Sequence, residues 1–554
     1  MSLAARRAAG LAALAAAVAV ACLAAGCGLG TGPDSELNSG LQAYDAPPAV
    51  VFRRANGPEP DTLDPQRAED ESSREIIRDL YEGLIGETSR GELVPGAAES
   101  WQVSGDGLTW TFKLRPDNRW SNGDPLVAAD FVAGFRRALD PATASTSAAL
   151  LAPLAGAPEV IAGTLPPSLL GVEAPDDWQL VLRLSSPTPY LLGLLTHPIT
   201  FPVHGPSLAE HGAAFARPGR LISNGAYQLD EWEVHSHVQL RANPYFRQRP
   251  QIDVVRHYSF DVPEAALNRY RAGDLDFNMQ IPMARFGWLQ DNLADELYTA
   301  PALGTQFWLF NTLRAPTDDP RVRKALAMTV DRQRIVTKVT GLGDAAAYGL
   351  VPPGVANYRA QFFDWREQPM AARVAVARAL LAEAGYGPQR PLKVTVHYNT
   401  DENLRRIAVA VAAMWREHLG VETTLHNEEF RVLLNRRRDP DEWQILRLAW
   451  RGDYNDASNF LEILARDGAV NDTGYDDPEF ERLLAAATVE LEPARRAALL
   501  EAAEQRMLAH YPVLPLYHPV SKHLVKPWVQ GFQPNILTRT YSRHLSIDVD
   551  QRGF

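Results

Sequence analysis

After Cys27 the chain contains no cysteine, and Cys22 is the only other one. A disulfide in the mature fold is therefore excluded, although an oxidising compartment would permit one. A chain of 554 residues buries a core large enough to do without it. Also missing are a G-x-S-x-G nucleophile turn, a Walker loop, a dinucleotide glycine fingerprint and H-E-x-x-H. The histidines are scattered; the closest pair, in "HSH" at 235–237, reads as a solvated loop. "SIDVDQRG" lacks the glycine and terminal glutamate of a calcium loop. Carboxylates are abundant, but no spacing singles out a hydrolytic pair. These gaps predict a protein that is not an enzyme and that needs no cofactor and no metal.

Basic excess is missing too. The formal charge is −12, and it falls to −14 once Arg6 and Arg7 are removed with the leader. An acidic, well-mixed surface argues against nucleic acid or anionic lipid as a partner. With 46% hydrophobic and 22% charged residues the chain is otherwise an ordinary globular one, long enough for two or more domains.

The apolar run is confined to the start. "MSLAARRAAG" carries two arginines and no acid, and "LAALAAAVAVACLAAG" follows it, ending in small residues. This is the layout of a secretion signal rather than of a membrane span, and it predicts a signal peptide over residues 1–26. In "LAAGCGLG" Cys27 directly follows small residues, which resembles the bacterial lipobox. There the cysteine is acylated and becomes the mature N-terminus. Residues 27–49 then read as a lipid anchor and flexible tether.

From residue 50 the pattern mixes helix and strand without an internal repeat. "SREIIRDLYEGLIG" spaces Ile76, Ile77, Leu80 and Leu84 as a helix with a glycine stop. "GLTWTFKLR" alternates Leu108, Trp110, Phe112 and Leu114 as a half-buried strand, and "WQLVLRL" does the same with Leu180, Leu182 and Leu184. "MAARVAVARALLAEAGYG" predicts a helix closed by Gly385, with the strand "LKVTVHYN" after it. "PEFERLLAAATVELEPARRAALLEAAEQRMLAHYP" predicts two more helices before "VLPLYHPV". Alternation of this kind favours α/β layers, and no clean linker divides them.

One strand exit is unusual. "EWQILRLAW" ends in "RGDYNDASNF", which puts Trp450, Arg451 and Asp453 together with no hairpin partner nearby. Several stretches accompany it in order: "PDTLDP" (60–65), "YEGLIG" (81–86), "PGAAESWQVSGDGLTWTFKLRPDNRWSNGDPLVAADF" (95–131) and "SNGAYQLDEW" (223–232). "YRAGDLDF" (270–277), "DDPRVRKALAMTVDRQRIV" (318–336), "LLAEAGY" (380–386) and "LVKPWVQGF" (524–532) complete the series. From residue 50 onward the chain resembles the extracytoplasmic solute-binding proteins of peptide ABC importers. "RRALDPATAS" (136–145) and "RLAWRGDYND" (447–456) point towards the oligopeptide-binding proteins among them.

The resemblance implies an α/β, two-lobed periplasmic-binding-protein fold (type II, cluster C), with an additional α/β domain inserted in the first lobe. By similarity, lobe I takes residues 50–81, 206–305 and 520–554, the extra domain 82–205, and lobe II 306–519. It further implies a monomer that closes on a short peptide, delivers it to the transmembrane subunits of a permease, and meets the membrane only through Cys27.

A peptide's ammonium, carboxylate and backbone amides are costly to bury unpaired, so a broad peptide binder recognises the backbone at a sheet edge. By resemblance Asp453 takes the ligand ammonium. Ala449, Trp450 and Arg451 offer backbone edges, and Trp450 adds an apolar wall. Glu69 and Asp70 in "RAEDES" stand where the family runs its opposing strand. Arg437 and Arg447 are candidates for the ligand carboxylate, and Asn399, Phe430, Tyr517 and His518 complete the expected lining. Where the family has other residues, this chain has Ser147, Leu404, Ala302, Leu309, Pro519 and Arg451. The pocket is remodelled, so a non-peptide solute (metal chelate, haem, opine or sugar) is the alternative ligand, and a sensor lipoprotein without transport is the other alternative.

Overall fold

A computed structural model describes residues 49–552 apart from Ala469. The predicted signal peptide, Cys27 and all of the tether but Ala49 lie outside the described residues. Among those residues no helix is long and apolar enough to cross a membrane.

Two sheets dominate. The first has seven strands in the order Leu297–Pro301, Val520–Val525, Phe277–Asn278, Val51–Gly57, Val254–Ser259, His237–Ala242 and Tyr227–Glu233. The second has six, in the order Ala345–Ala346, Val513–His518, Gly304–Phe310, Ile445–Arg451, Lys393–Asn399 and Glu422–Glu428. The chain crosses from first to second through Ala302 and Leu303, and returns through Pro519. Ala302 N donates to Pro519 O at 3.0 Å, which ties the two crossings together. Buried Lys522 and Asp344 meet across the same junction at 3.4 Å.

A third, four-stranded antiparallel sheet joins Ala98–Val103, Thr109–Leu114, Gln179–Arg183 and Val172–Asp176. Trp110, Phe112 and Leu114 are buried in the predicted alternation; Leu180, Leu182 and Leu184 are buried too, but so is Val181 between them, so that strand is covered on both faces rather than alternating. These side chains share one apolar core with Phe52, Ile76, Leu80 and Val255 of the first lobe. The second lobe has its own core, in which Trp308 and Trp415 meet edge to face at 5.7 Å.

The predicted helices Met370–Glu383, Pro478–Val489 and Pro493–His510 are present, and Gly385 follows the first with φ +82. The helix expected from "SREIIRDLYEGLIG" spans only Glu71–Leu80. Its stop is tertiary rather than the glycine anticipated. Gly225 N donates to Leu80 O at 2.7 Å. A Cβ on Gly225 would lie 2.5 Å from the Leu80 carbonyl carbon, so only glycine permits this approach.

Candidate ligand-binding site

In the second sheet Lys393–Asn399, Glu422–Glu428 and Ile445–Arg451 run parallel, so their carboxyl ends lie on one side, next to the hinge. Open α/β sheets bind ligands outside those ends. The Ile445–Arg451 strand pairs along its length with Gly304–Phe310, in register Arg451 with Gly304 and Ala449 with Gln306. On its other edge only Ile445 and Leu446 are paired, with Val396 and His397. Beyond Leu446 no strand among the described residues covers that edge. The backbone of Leu448–Arg451 is thus open to an added strand.

Gly452 ends the strand because there is no room for a side chain. A Cβ there would lie 2.7 Å from Leu303 Cδ2, and Leu303 is a hinge residue. The chain then turns into Asp453, whose half-buried carboxylate has no ion-pair partner within contact distance among the described residues. Burial pushes this carboxyl up, while the charges of Arg74 and Arg539 and a hydrogen bond from Asn459 pull it back. Asn459 Oδ1 also accepts from Trp450 Nε1 at 3.0 Å and from Asp453 N at 3.3 Å. One buried amide therefore orients both the indole and the carboxylate.

Trp450, Asp453 and Asn459 line a hollow of about 740 Å³. Its far wall is formed by Ser147, Leu150, Ser186 and Tyr190. Tyr190 stacks on Tyr454 at 4.6 Å. Glu462 is on the near wall, its carboxyl pushed up to about 7 by burial and by Asp456.

A second group gathers on the other face of the strand. Arg447 Nη1 donates to Asn399 Oδ1 at 3.0 Å and Nη2 donates to Gln306 Oε1 at 2.5 Å. Gln306 pairs in register with Tyr517. Burial lowers the Arg447 guanidinium and raises the Tyr517 hydroxyl. Next to Tyr517, His518 Nδ1 lies 2.9 Å from Thr305 Oγ1, and burial holds its imidazole down to about 4, so the ring is neutral.

The expected residues thus divide. Ala449, Trp450, Arg451 and Asp453 come together, and Arg447, Asn399, Tyr517 and His518 form a second group two strand positions away. Asp70 is committed locally: its carboxylate caps the Glu71–Leu80 helix through Ser73 N at 2.7 Å. Glu69 is exposed and lines a separate hollow with Arg67, Arg217 and Trp232. Arg437 is ion-paired with Asp472 at 2.6 Å, and Phe430 is 47% exposed at the start of the Phe430–Arg437 helix. None of these four is brought into contact with Asp453.

The structure adds groups that the sequence reading did not nominate. Arg539 Nη1 donates to Glu87 Oε1 and Thr196 Oγ1, each at 2.8 Å, and Nη2 donates to Asp453 O at 3.0 Å. Arg451 Nη2 donates to Thr538 Oγ1, and Thr538 has the left-handed φ of +58, rare for a β-branched residue. Burial would raise the Glu71 carboxyl, but Arg78, Arg451 and Arg539 outweigh it and hold the group down to about 2. Asn459 was legible, six residues beyond Asp453. Arg539 and Thr538 arrive from the C-terminal segment and carry no local signal.

Two α/β lobes joined at a hinge, with an uncovered strand edge in the cleft between them, define a solute-binding protein of the bilobal capture class. The chain belongs to the bacterial extracellular solute-binding proteins, family 5, which it matches over residues 92–472. Members of that family are binding proteins rather than enzymes. It is 37% identical to the probable deoxycholate-binding periplasmic protein YgiS of Escherichia coli, covering 92% of this chain and 96% of that one. It is also 37% identical to the periplasmic murein peptide-binding protein MppA of E. coli, over 86% of this chain and 89% of the relative. Among solved structures, the unliganded open form of MppA superposes with a TM-score of 0.83 at 35% identity, covering 90% of this chain and 98% of that one. Haemophilus influenzae OppA in complex with RPPGFSPFR gives 0.71 at 34% identity, covering 90% and 98%.

Proposed function

We propose that this chain captures short peptides between its lobes and hands them to the transmembrane subunits of an ABC importer, from an extracytoplasmic position held by a lipid on Cys27. The observation that carries the reading is the open edge of Leu448–Arg451 ending at the Asp453 carboxylate. An extended peptide added there finds backbone partners, and its ammonium finds the Asp453 carboxylate, which has no cation in contact among the described residues. Relatives named for murein peptides and for oligopeptide binding support it.

Lobe I then comprises 50–81, 206–305 and 520–554, the extra domain 82–205, and lobe II 306–519. The membership of the three sheets supports this division, with the crossing itself at Ala302 and Leu303. The higher TM-score to the open form supports an open resting arrangement. Only the closed form touches ligand from both sides, so ligand shifts the equilibrium towards closure.

The relative named for deoxycholate marks the competing reading, a steroid carboxylate in the same cleft. Asp453 opposes it, because an anionic ligand leaves that carboxylate desolvated without a cation. Native mass spectrometry of the gently purified chain, followed by calorimetry with di- to pentapeptides and deoxycholate, decides. Bound masses that fragment into peptide ladders, and a loss of roughly 3–5 kcal/mol in peptide affinity on Asp453→Ala, are expected. Unchanged peptide affinity in that variant, or binding of deoxycholate alone, overturns the assignment.

A further inference from the structure

The hollow that Asp453 shares with Trp450 and Asn459 is lined by two further carboxylates, Glu462 and Asp467, and by no lysine, arginine or histidine among the described residues. Asp467 is exposed, whereas Glu462 is half-buried. The Glu462 carboxylate has no ion pair and no side-chain hydrogen bond among the described residues. The cation that acts on it, Arg496, is already bound by Asp456 in two hydrogen bonds, at 2.6 and 2.9 Å. A desolvated carboxylate left in that condition is relieved by a cation brought alongside.

One short helical stretch sets the place of Glu462 relative to the ammonium site. The helix Ser458–Leu461 runs directly into the 3-10 helix Glu462–Leu464. Asn459 and Glu462 stand three residues apart, and side chains at that spacing are neighbours on one helical face. Asn459 Oδ1 is the atom that accepts from Asp453 N and Trp450 Nε1, at 3.3 and 3.0 Å. Glu462 is therefore one turn beyond the residue that orients Asp453, on the wall of the same hollow. That hollow, at about 740 Å³, is far larger than an ammonium. In a peptide the first side chain leaves the carbon that bears the ammonium, so it is the group that enters the remaining space.

We infer that Glu462 is a specificity-determining residue that takes the cationic head of the ligand's first side chain, beside the ammonium taken by Asp453. The cleft then favours peptides that begin with lysine or arginine over those that begin with a neutral or acidic residue. This deepens the proposed function and rests on it. Leu150 and Ile463, also on the walls, give the aliphatic stem of such a side chain apolar cover while its head forms a charge-assisted pair. The titratable and charged groups around Glu462 are Asp453, Asp456, Asp467, Arg496, Tyr190 and Tyr454. Burial holds both tyrosines protonated. Burial and Asp456 push Glu462 itself up to about 7, so its charge, and with it the pairing, grows as pH rises through neutrality.

The test is calorimetry on the whole purified chain with Lys-Ala-Ala, norleucine-Ala-Ala and Glu-Ala-Ala. Norleucine has the lysine stem without the amine, so the ratio of the first two affinities isolates the charge. Asp453 serves the α-ammonium of both peptides, and its titration cancels in that ratio. At pH ~7.5 wild type should bind the Lys peptide about fivefold or more tightly than the norleucine peptide, and the Glu peptide more weakly than either. At pH ~5.5, where Glu462 holds its proton, the ratio should fall to within about threefold of one. Glu462→Gln should give a ratio near one at both pH values. The pH dependence of wild type tests the inference even if that variant fails to fold. Equal affinity for the Lys and norleucine peptides at the higher pH overturns the inference, as does a ratio that does not change with pH. A preference that survives Glu462→Gln and is lost on Asp467→Asn overturns it too, by assigning the head to the exposed carboxylate. Binding of none of the three peptides would remove the peptide reading itself, an outcome distinct from binding without preference.

Discussion

Arg539 Nη2 donates to the Asp453 carbonyl oxygen at 3.0 Å, so a side chain anchored on Glu87 and Thr196 holds the second-lobe loop that carries the candidate ammonium site. Glu87 is 1% exposed and also accepts from Tyr541 Oη at 2.6 Å. Removing Arg539 leaves that carboxylate buried and half satisfied. Arg539→Ala should cost about 3–5 kcal/mol in a urea unfolding series, and adding Glu87→Gln should restore much of it. Full stability in the single variant would mean that water already serves Glu87.

Binding should depend on pH through Asp453. Burial raises its carboxyl, so it takes up a proton at a higher pH than a surface aspartate. Only the ionised form attracts an ammonium, so peptide affinity should fall as pH drops through that raised value, above the ordinary 3.8. On the alkaline side affinity should fall again near pH ~8, as the ligand's own ammonium loses its proton. Asp453→Asn should flatten the acid limb and leave the alkaline one. Asn459→Asp puts a like charge beside Asp453 and should move the acid limb to higher pH.

Gly452 should tolerate no side chain without disturbing the hinge. The Cβ of Gly452→Ala would meet Leu303 Cδ2 at 2.7 Å and Phe460 Cε2 at 3.2 Å. Overpacking of this kind costs about 1–3 kcal/mol, and here it also shifts the strand end that presents Asp453. A lowered melting temperature together with weakened peptide binding is expected. Leu303→Ala in the same chain should recover part of both, because it removes the atoms that clash.

The architecture was readable where side chains repeat. Trp110, Phe112 and Leu114 declare their inward face by alternation alone, whereas Val181, buried between Leu180 and Leu182, does not. The odd strand exit drew attention to Asp453 and Trp450, but their roles there came from the family resemblance and not from the residues alone. What sequence could not give is proximity across the chain. The cap that Asp70 supplies to the Glu71–Leu80 helix is a role its helix start could have announced. Arg539 lies 86 positions from the carbonyl it holds, and no pattern of residues near either end announces that bond.

A pH-dependent stability term should come from Glu504. Its side chain is fully buried; Oε1 accepts from Leu350 N at 2.7 Å and Val351 N at 2.9 Å, and Tyr358 Oη donates to Oε2. Burial outweighs these bonds and pushes the carboxyl from the ordinary 4.5 up to about 7. A carboxyl raised on folding favours the folded state below pH 4.5, and that contribution is lost as pH rises through 7. The full change is roughly 3 kcal/mol. Glu504→Gln keeps the shape and the acceptor for both amides without the titration, provided that the Tyr358 hydroxyl turns to accept. Glu462, also raised to about 7, titrates in both proteins and cancels when they are compared. The variant should therefore match wild type in urea unfolding at pH 5 and exceed it by roughly 3 kcal/mol at pH 8. A difference that stays constant across that window would mean that Glu504 ionises as an ordinary carboxylate, held by its three donors.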